Sequence, residues 1–118
     1  MATDESRSQL FVYGQLQPGI RFPRGAELIG PDRVHGELYD LGKYPAAVTV
    51  GRTTSSFAGY LISIPTTLLV ELDEYECVED GLYRRIEVET ASGATAWIYE
   101  YLPTLPPHAI GPIESWPV

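Results

Sequence analysis

The sequence predicts an α+β fold: a small six-stranded, mostly antiparallel β-barrel or strongly curled sheet with one main helix packed against it. Three observations lead there. Short runs rich in Val, Ile, Leu, Tyr and Phe recur along the chain. Ten prolines and eleven glycines cut those runs apart. Only the stretch from Leu68 to Glu76 spaces its apolar residues as a helix does, so a doubly wound fold, which needs several helices, is excluded.

The first strand is expected at residues 9–13, after a polar and loose start over residues 1–8, and it stops at Gly14. A glycine there lets the chain turn sharply and leaves the amides of Gln15, Leu16 and Gln17 free for a carboxylate or an oxyanion. On its own, Tyr-Gly after a strand more often marks an ordinary turn. Residues 18–25 form a loop carrying Arg21 and Arg24, which read as solvated charges. Residues 26–30 suit another short strand, and residues 33–40 alternate clearly. Val34, Gly36 and Leu38 share a face, and the glycine on it points to close approach by a backbone or a ligand.

A turn at residues 41–45, a strand at 46–50, a polar link at 51–55 and a longer strand at 57–64 follow. Pro65 ends that strand, and Thr66 is placed to cap the helix. At about 100° per residue, Leu68, Leu69, Leu72 and Tyr75 fall on one side of the helix, with Glu71, Asp73 and Glu74 around the rest. Glu76 falls inside the apolar stripe. An inward carboxylate there would have a raised pKa, as catalytic acids often do; alternatively the helix ends at Tyr75 and Glu76 points into water. Residues 83–90 and 94–102 read as a hairpin, and the proline-rich tail, 103–118, as an ordered wrap anchored by Trp116.

At 118 residues the chain is read as a single domain, 1–118. A net charge of −8 argues against nucleic acid and anionic membrane as partners. No apolar run reaches the ~20 residues that span a bilayer. With one cysteine and no apolar leader, the expected location is cytoplasmic. His35, His108 and Cys77 stand apart, so no metal site is expected. No nucleophile elbow, phosphate loop or dinucleotide fingerprint occurs.

Three fragments in order, Val12-Tyr13-Gly14-Gln15-Leu16, then Val34-His35-Gly36-Glu37-Leu38-Tyr39-Asp40 with Tyr44-Pro45-Ala46, then Leu72-Asp73-Glu74-Tyr75-Glu76 with Tyr83-Arg84-Arg85, resemble the γ-glutamylcyclotransferase-like superfamily, which includes the AIG2-like and γ-glutamylamine cyclotransferase branches. The resemblance runs from about Leu10 to Tyr101. It implies a six-stranded barrel whose loop amides hold the glutamyl part of a small γ-glutamyl substrate. By motif position it implies Glu76 as the general acid/base, with Tyr13, Gly14, Gln15, Leu16 and Tyr83 binding substrate. It implies release of 5-oxoproline without a cofactor, by a monomer or weak dimer. Gln15 replaces a small hydroxyl residue of the family pattern, and Cys77 stands where a glycine is common. Alternation turns Arg84 inward and Arg85 towards the polar face, whereas the family signature singles out Arg85; pairing with a nearby acid is the expected job of each. The alternative function is a non-catalytic binding or interaction module on the same barrel. Amide hydrolysis, yielding glutamate, is a third.

Overall fold

The structure is a computed structural model; it describes residues 6–49 and 54–117. Residues 1–5 of the expected loose terminus, Val50 at the end of the expected fourth strand, and 51–53 of the polar link lie outside the described residues.

Among the described residues the chain forms β1 (Arg7–Val12), β2 (Glu27–His35), β3 (Glu37–Asp40), β4 (Pro45–Val48), β5 (Ser56–Pro65), α1 (Leu68–Tyr75), β6 (Tyr83–Glu89), β7 (Thr95–Tyr101) and β8 (Ile110–Ile113). One sheet has the order β2-β5-β1-β7-β6 and the other β4-β3-β8. The fold is mixed α+β with one helix and a sheet-rich core, as expected. Every ladder is antiparallel except β1 with β7.

β1 is the middle strand of the larger sheet, and both its faces are covered. Leu10 and Val12 pack with Ile62, Ile64 and Tyr99 and with Leu69 and Leu72 of the helix. Phe11 and Tyr13 pack with Val34, Leu38, Phe57 and Ile98 on the other side. This is why the segment is apolar without alternation. Each such side chain contributes roughly 1.5–3 kcal/mol by leaving water.

The larger sheet curls so that the β6–β7 hairpin tip reaches its opposite edge strand, β2. Ala91, at the tip of the β6–β7 hairpin, donates its amide to the Arg33 carbonyl of β2 at 2.9 Å. Asp32 accepts from the Ser92 amide at 3.1 Å and from its hydroxyl at 2.7 Å. The smaller sheet is fastened through Glu100 of β7, whose buried Oε2 accepts from the Thr49 amide at 2.8 Å and its hydroxyl at 2.5 Å.

Several local expectations are corrected. The strand expected over 33–40 is split at Gly36, which has φ +149°. A Cβ there would meet the Val48 carbonyl oxygen at 2.7 Å, so the close approach is by backbone. β2 instead extends back through Pro31 to Glu27, which an edge strand tolerates. Arg7 and Ser8 belong to β1 rather than to a loose terminus. The C-terminal tail contributes β8, paired with β3, and Trp116 does anchor it, donating to Asp40 at 2.9 Å. Thr66 is not the helix cap: Thr67 takes that position without a side-chain bond, and the Thr66 hydroxyl shares a hydrogen bond of 2.7 Å with Ser8.

No helix among the described residues is long and apolar enough to cross a membrane.

Candidate active site

The helix end decides where Glu76 goes. α1 stops at Tyr75 and Glu76 is its C-cap. The Val78 amide returns to the Asp73 carbonyl at 3.0 Å and the Cys77 amide to the Glu74 carbonyl at 3.1 Å. Those two bonds define a Schellman motif, in which the residue after the cap takes the left-handed conformation. Cys77 does so, at φ +56°. The substituted glycine of the family pattern thus has a backbone reason. With the chain folded back this way, Glu76 is directed into a cavity although the helix has already ended.

That cavity, of about 300 Å³, is lined by the end of β1 with Tyr13, Gly14, Gln15 and Leu16, by Tyr44 and Pro45, by Tyr75, Glu76 and Cys77, and by Leu82, Tyr83 and Tyr99. All six sequence-predicted site residues are therefore together. Among the described residues the Glu76 carboxylate has no hydrogen-bond or ion-pair partner. Burial raises its pKa from the ordinary 4.5 to about 7.

The turn after β1 lines the same cavity. Among the described residues the amides of Gln15 and Leu16 have no partner, whereas the Gln17 amide, expected to be free, donates to the Gly14 carbonyl at 3.1 Å. The Gln17 side chain holds the turn from beneath, with Nε2 donating to the carbonyls of Tyr13 at 2.9 Å and Gly14 at 3.0 Å. Gly14 is required by space rather than by an unusual backbone angle: a Cβ would lie 2.9 Å from Pro45 Cγ.

Three tyrosines wall the inner cavity with their hydroxyls committed to the protein. Tyr13 donates to the Tyr99 carbonyl, Tyr83 to the Pro45 carbonyl at 2.5 Å, and Tyr99 to Asp73 at 2.7 Å. Burial, foremost, raises the pKa of each, and the charge of Glu76 adds to it. They stay neutral donors. Tyr83, expected to bind substrate, lines the cavity with its hydroxyl already donated to the Pro45 carbonyl.

Tyr99 was not among the site residues expected from the sequence, yet it lines the cavity, and its hydroxyl is oriented by Asp73. Arg85 donates Nε to Asp73 Oδ1 at 2.8 Å and Nη2 to Oδ2 at 3.1 Å, with its guanidinium 4.5 Å over the Trp97 ring. The two halves of the helix-strand signature are thus joined by a bidentate ion pair. Arg84 lies opposite Glu100 and Arg85 opposite Tyr99, so they occupy different faces. The face of Arg85 is the one covered by the helix, not a solvent face. Arg84 pairs with Glu100 at 2.6 Å. Each arginine therefore does pair with an acid, as expected. Among the described residues no three His, Cys, Asp or Glu side chains could hold a metal ion.

Several solved structures share this architecture. The ytfP protein from Escherichia coli is 31% identical at a TM-score of 0.68, with 92% of this chain and 96% of that one covered. An AIG2-like protein from Mus musculus is 17% identical at 0.75, with coverages of 93% and 88%. A protein described as a γ-glutamyl cyclotransferase is 20% identical at 0.67, with coverages of 81% and 67%. No curated protein matches the chain. Residues 10–117 match the model of the family described as γ-glutamyl cyclotransferase, AIG2-like, and the chain belongs to that family.

Proposed function

We propose that the protein converts a γ-glutamyl amide into 5-oxoproline and a free amine or amino acid, with Glu76 as the general acid/base. The observation that carries this reading is an unpaired carboxylate, raised to about 7, sharing one cavity with two bare backbone amides.

The substrate's γ-carbonyl oxygen or α-carboxylate lies against the amides of Gln15 and Leu16. Glu76 removes one proton from the substrate α-ammonium, and the resulting amine attacks the γ-carbonyl carbon of the same molecule. A five-membered ring closes and the carbonyl oxygen becomes an oxyanion, which preorganised amides stabilise. As the bond to the departing nitrogen breaks, Glu76 returns the proton to it. The ring nitrogen gives up its remaining excess proton, and the released amine is protonated. A pKa near 7 suits both transfers at neutral pH. Nucleophile and leaving group both belong to the substrate, so the scheme requires no cofactor. Holding an intramolecular reaction in a reactive conformer can supply about 7–11 kcal/mol of the barrier, so a sparsely equipped cavity suffices.

The test is 5-oxoproline release from a panel of γ-glutamyl amines, γ-glutamyl dipeptides and glutathione, with Glu76→Gln as control. The substitution is expected to lower kcat by about 10²–10⁴-fold; undiminished turnover removes Glu76 from the mechanism. Glutamate as product would indicate hydrolysis. Silence across the panel would favour a binding module, the reading to which Gln15 at the cavity entrance lends support.

A further inference from the structure

Gln15 is where this chain departs from its family's loop pattern, and its side chain has a defined place. Its Oε1 accepts from the Tyr75 hydroxyl at 2.5 Å and its Nε2 donates to the Lys43 carbonyl at 2.9 Å. Tyr75 directly precedes Glu76 at the end of α1. Lys43 directly precedes Tyr44 in the β3–β4 turn. One carboxamide therefore bridges three segments that wall the cavity: the loop after β1, the helix end and the β3–β4 turn.

The bridge lies on the outside. Both of its hydrogen bonds are exposed, whereas those of Tyr13 and Tyr83 are buried. Tyr75 is 42% exposed although its ring lines the cavity. With the glutamyl part held inside, the departing amine has to project past this outer strap. Serine or threonine, whose hydroxyl lies two bonds nearer the backbone, could not reach both partners.

Resting on the reading above, we infer that Gln15 is a specificity-determining residue: its carboxamide, fastened to Tyr75 and Lys43, forms a polar strap across the cavity mouth that selects for slender leaving amines and against bulky ones. Gln15 acts by position and takes no part in proton transfer. The strap is also a cross-brace. It fixes the segments on which Glu76 and Tyr44 are carried, so its arms set the width of the opening.

The experiment compares kcat/KM for γ-glutamyl-ethylamide and γ-glutamyl-benzhydrylamide in the native protein, Gln15→Ser and Tyr75→Phe. In Gln15→Ser the ratio of bulky to small substrate is expected to rise at least tenfold. In Tyr75→Phe, which removes one hydroxyl and leaves Gln15 in place, it should rise in the same direction by a smaller factor. A general loss of fitness would lower both substrates alike and leave the ratio unchanged, which overturns the inference. Dissociation constants of both amides, measured calorimetrically in Glu76→Gln with and without Gln15→Ser, separate the two readings. If native protein releases no 5-oxoproline, the cyclotransferase reading fails, and the binding ratio still decides the strap. An unchanged ratio, or no binding of either amide to either protein, overturns the strap as well.

Discussion

Replacing Glu76 by Gln should make the protein more stable while making it inactive, and the size of the gain follows from burial. An acid raised from 4.5 to about 7 is one whose ionised form the fold disfavours. Folding therefore takes up a proton between those values, and stability is greatest below about pH 4.5, where the group is neutral in both states. It falls as pH rises towards 7 and is level above. The total is about 3 kcal/mol, at 1.36 kcal/mol per pH unit of displacement. Glutamine has nearly the same shape and does not ionise, so the variant is free of this decline. The two proteins are expected to have equal urea midpoints near pH 4 and to diverge above it. At pH 8 the variant should lead by on the order of 1–2 M. Coincident midpoints at pH 8 would refute the reasoning, because Glu76 would then be solvated rather than pressed against the cavity wall. The same ionisation should appear as an acid limb near pH 7 in kcat/KM, since in the proposed mechanism the base form accepts the ammonium proton.

Gly14→Ala forces Pro45 outward from a 2.9 Å contact; a loss of about 1–3 kcal/mol in chemical denaturation is expected, with weaker substrate binding. Cys77→Gly relieves a left-handed residue at φ +56° and should raise stability by about 0.5–1 kcal/mol, read as an increased Tm. Asp73→Asn removes the bidentate partner of Arg85 and the acceptor of the Tyr99 hydroxyl, with an expected loss of about 1.5–3 kcal/mol at neutral pH. The Asp73 pKa is held below 3.8, chiefly by the Arg85 hydrogen bond. Its stabilisation is thus present above that value and lost on acidification, so the gap between variant and native protein should narrow as pH falls below 4.

Much of the fold was legible because strands leave strong local marks. β5, β6 and β7 lie within a residue or two of where alternation and Gly/Pro punctuation set them, and β1 within two. β8 was hidden because a strand of Ile110–Ile113 inside a proline-rich tail has no period to read; only its pairing with β3 makes it a strand. The break at Gly36 depends on Val48 lying across it, a contact between distant parts of the chain. At the site, Glu76 stood out as one acid inside an apolar stripe. The cause of its inward direction differs from helix periodicity: it is the reversal through Cys77. The two hydrogen bonds of the Gln15 carboxamide could not be read, because Tyr75 and Lys43 become its neighbours only after folding.

The position of β1 has a further consequence. Its hydrogen-bonded neighbours begin at Ser56 and Thr95, so the loop that carries the bare amides is held by strands from the later part of the chain. Until those strands arrive, β1 is an unpaired apolar segment, and no truncated piece lacking β7 can hold the loop in shape. Assembly of the site should therefore be all-or-none and coincide with global folding, with the slow closure expected when partners are far apart in sequence. Catalysis, where it occurs, would report on the integrity of the whole chain.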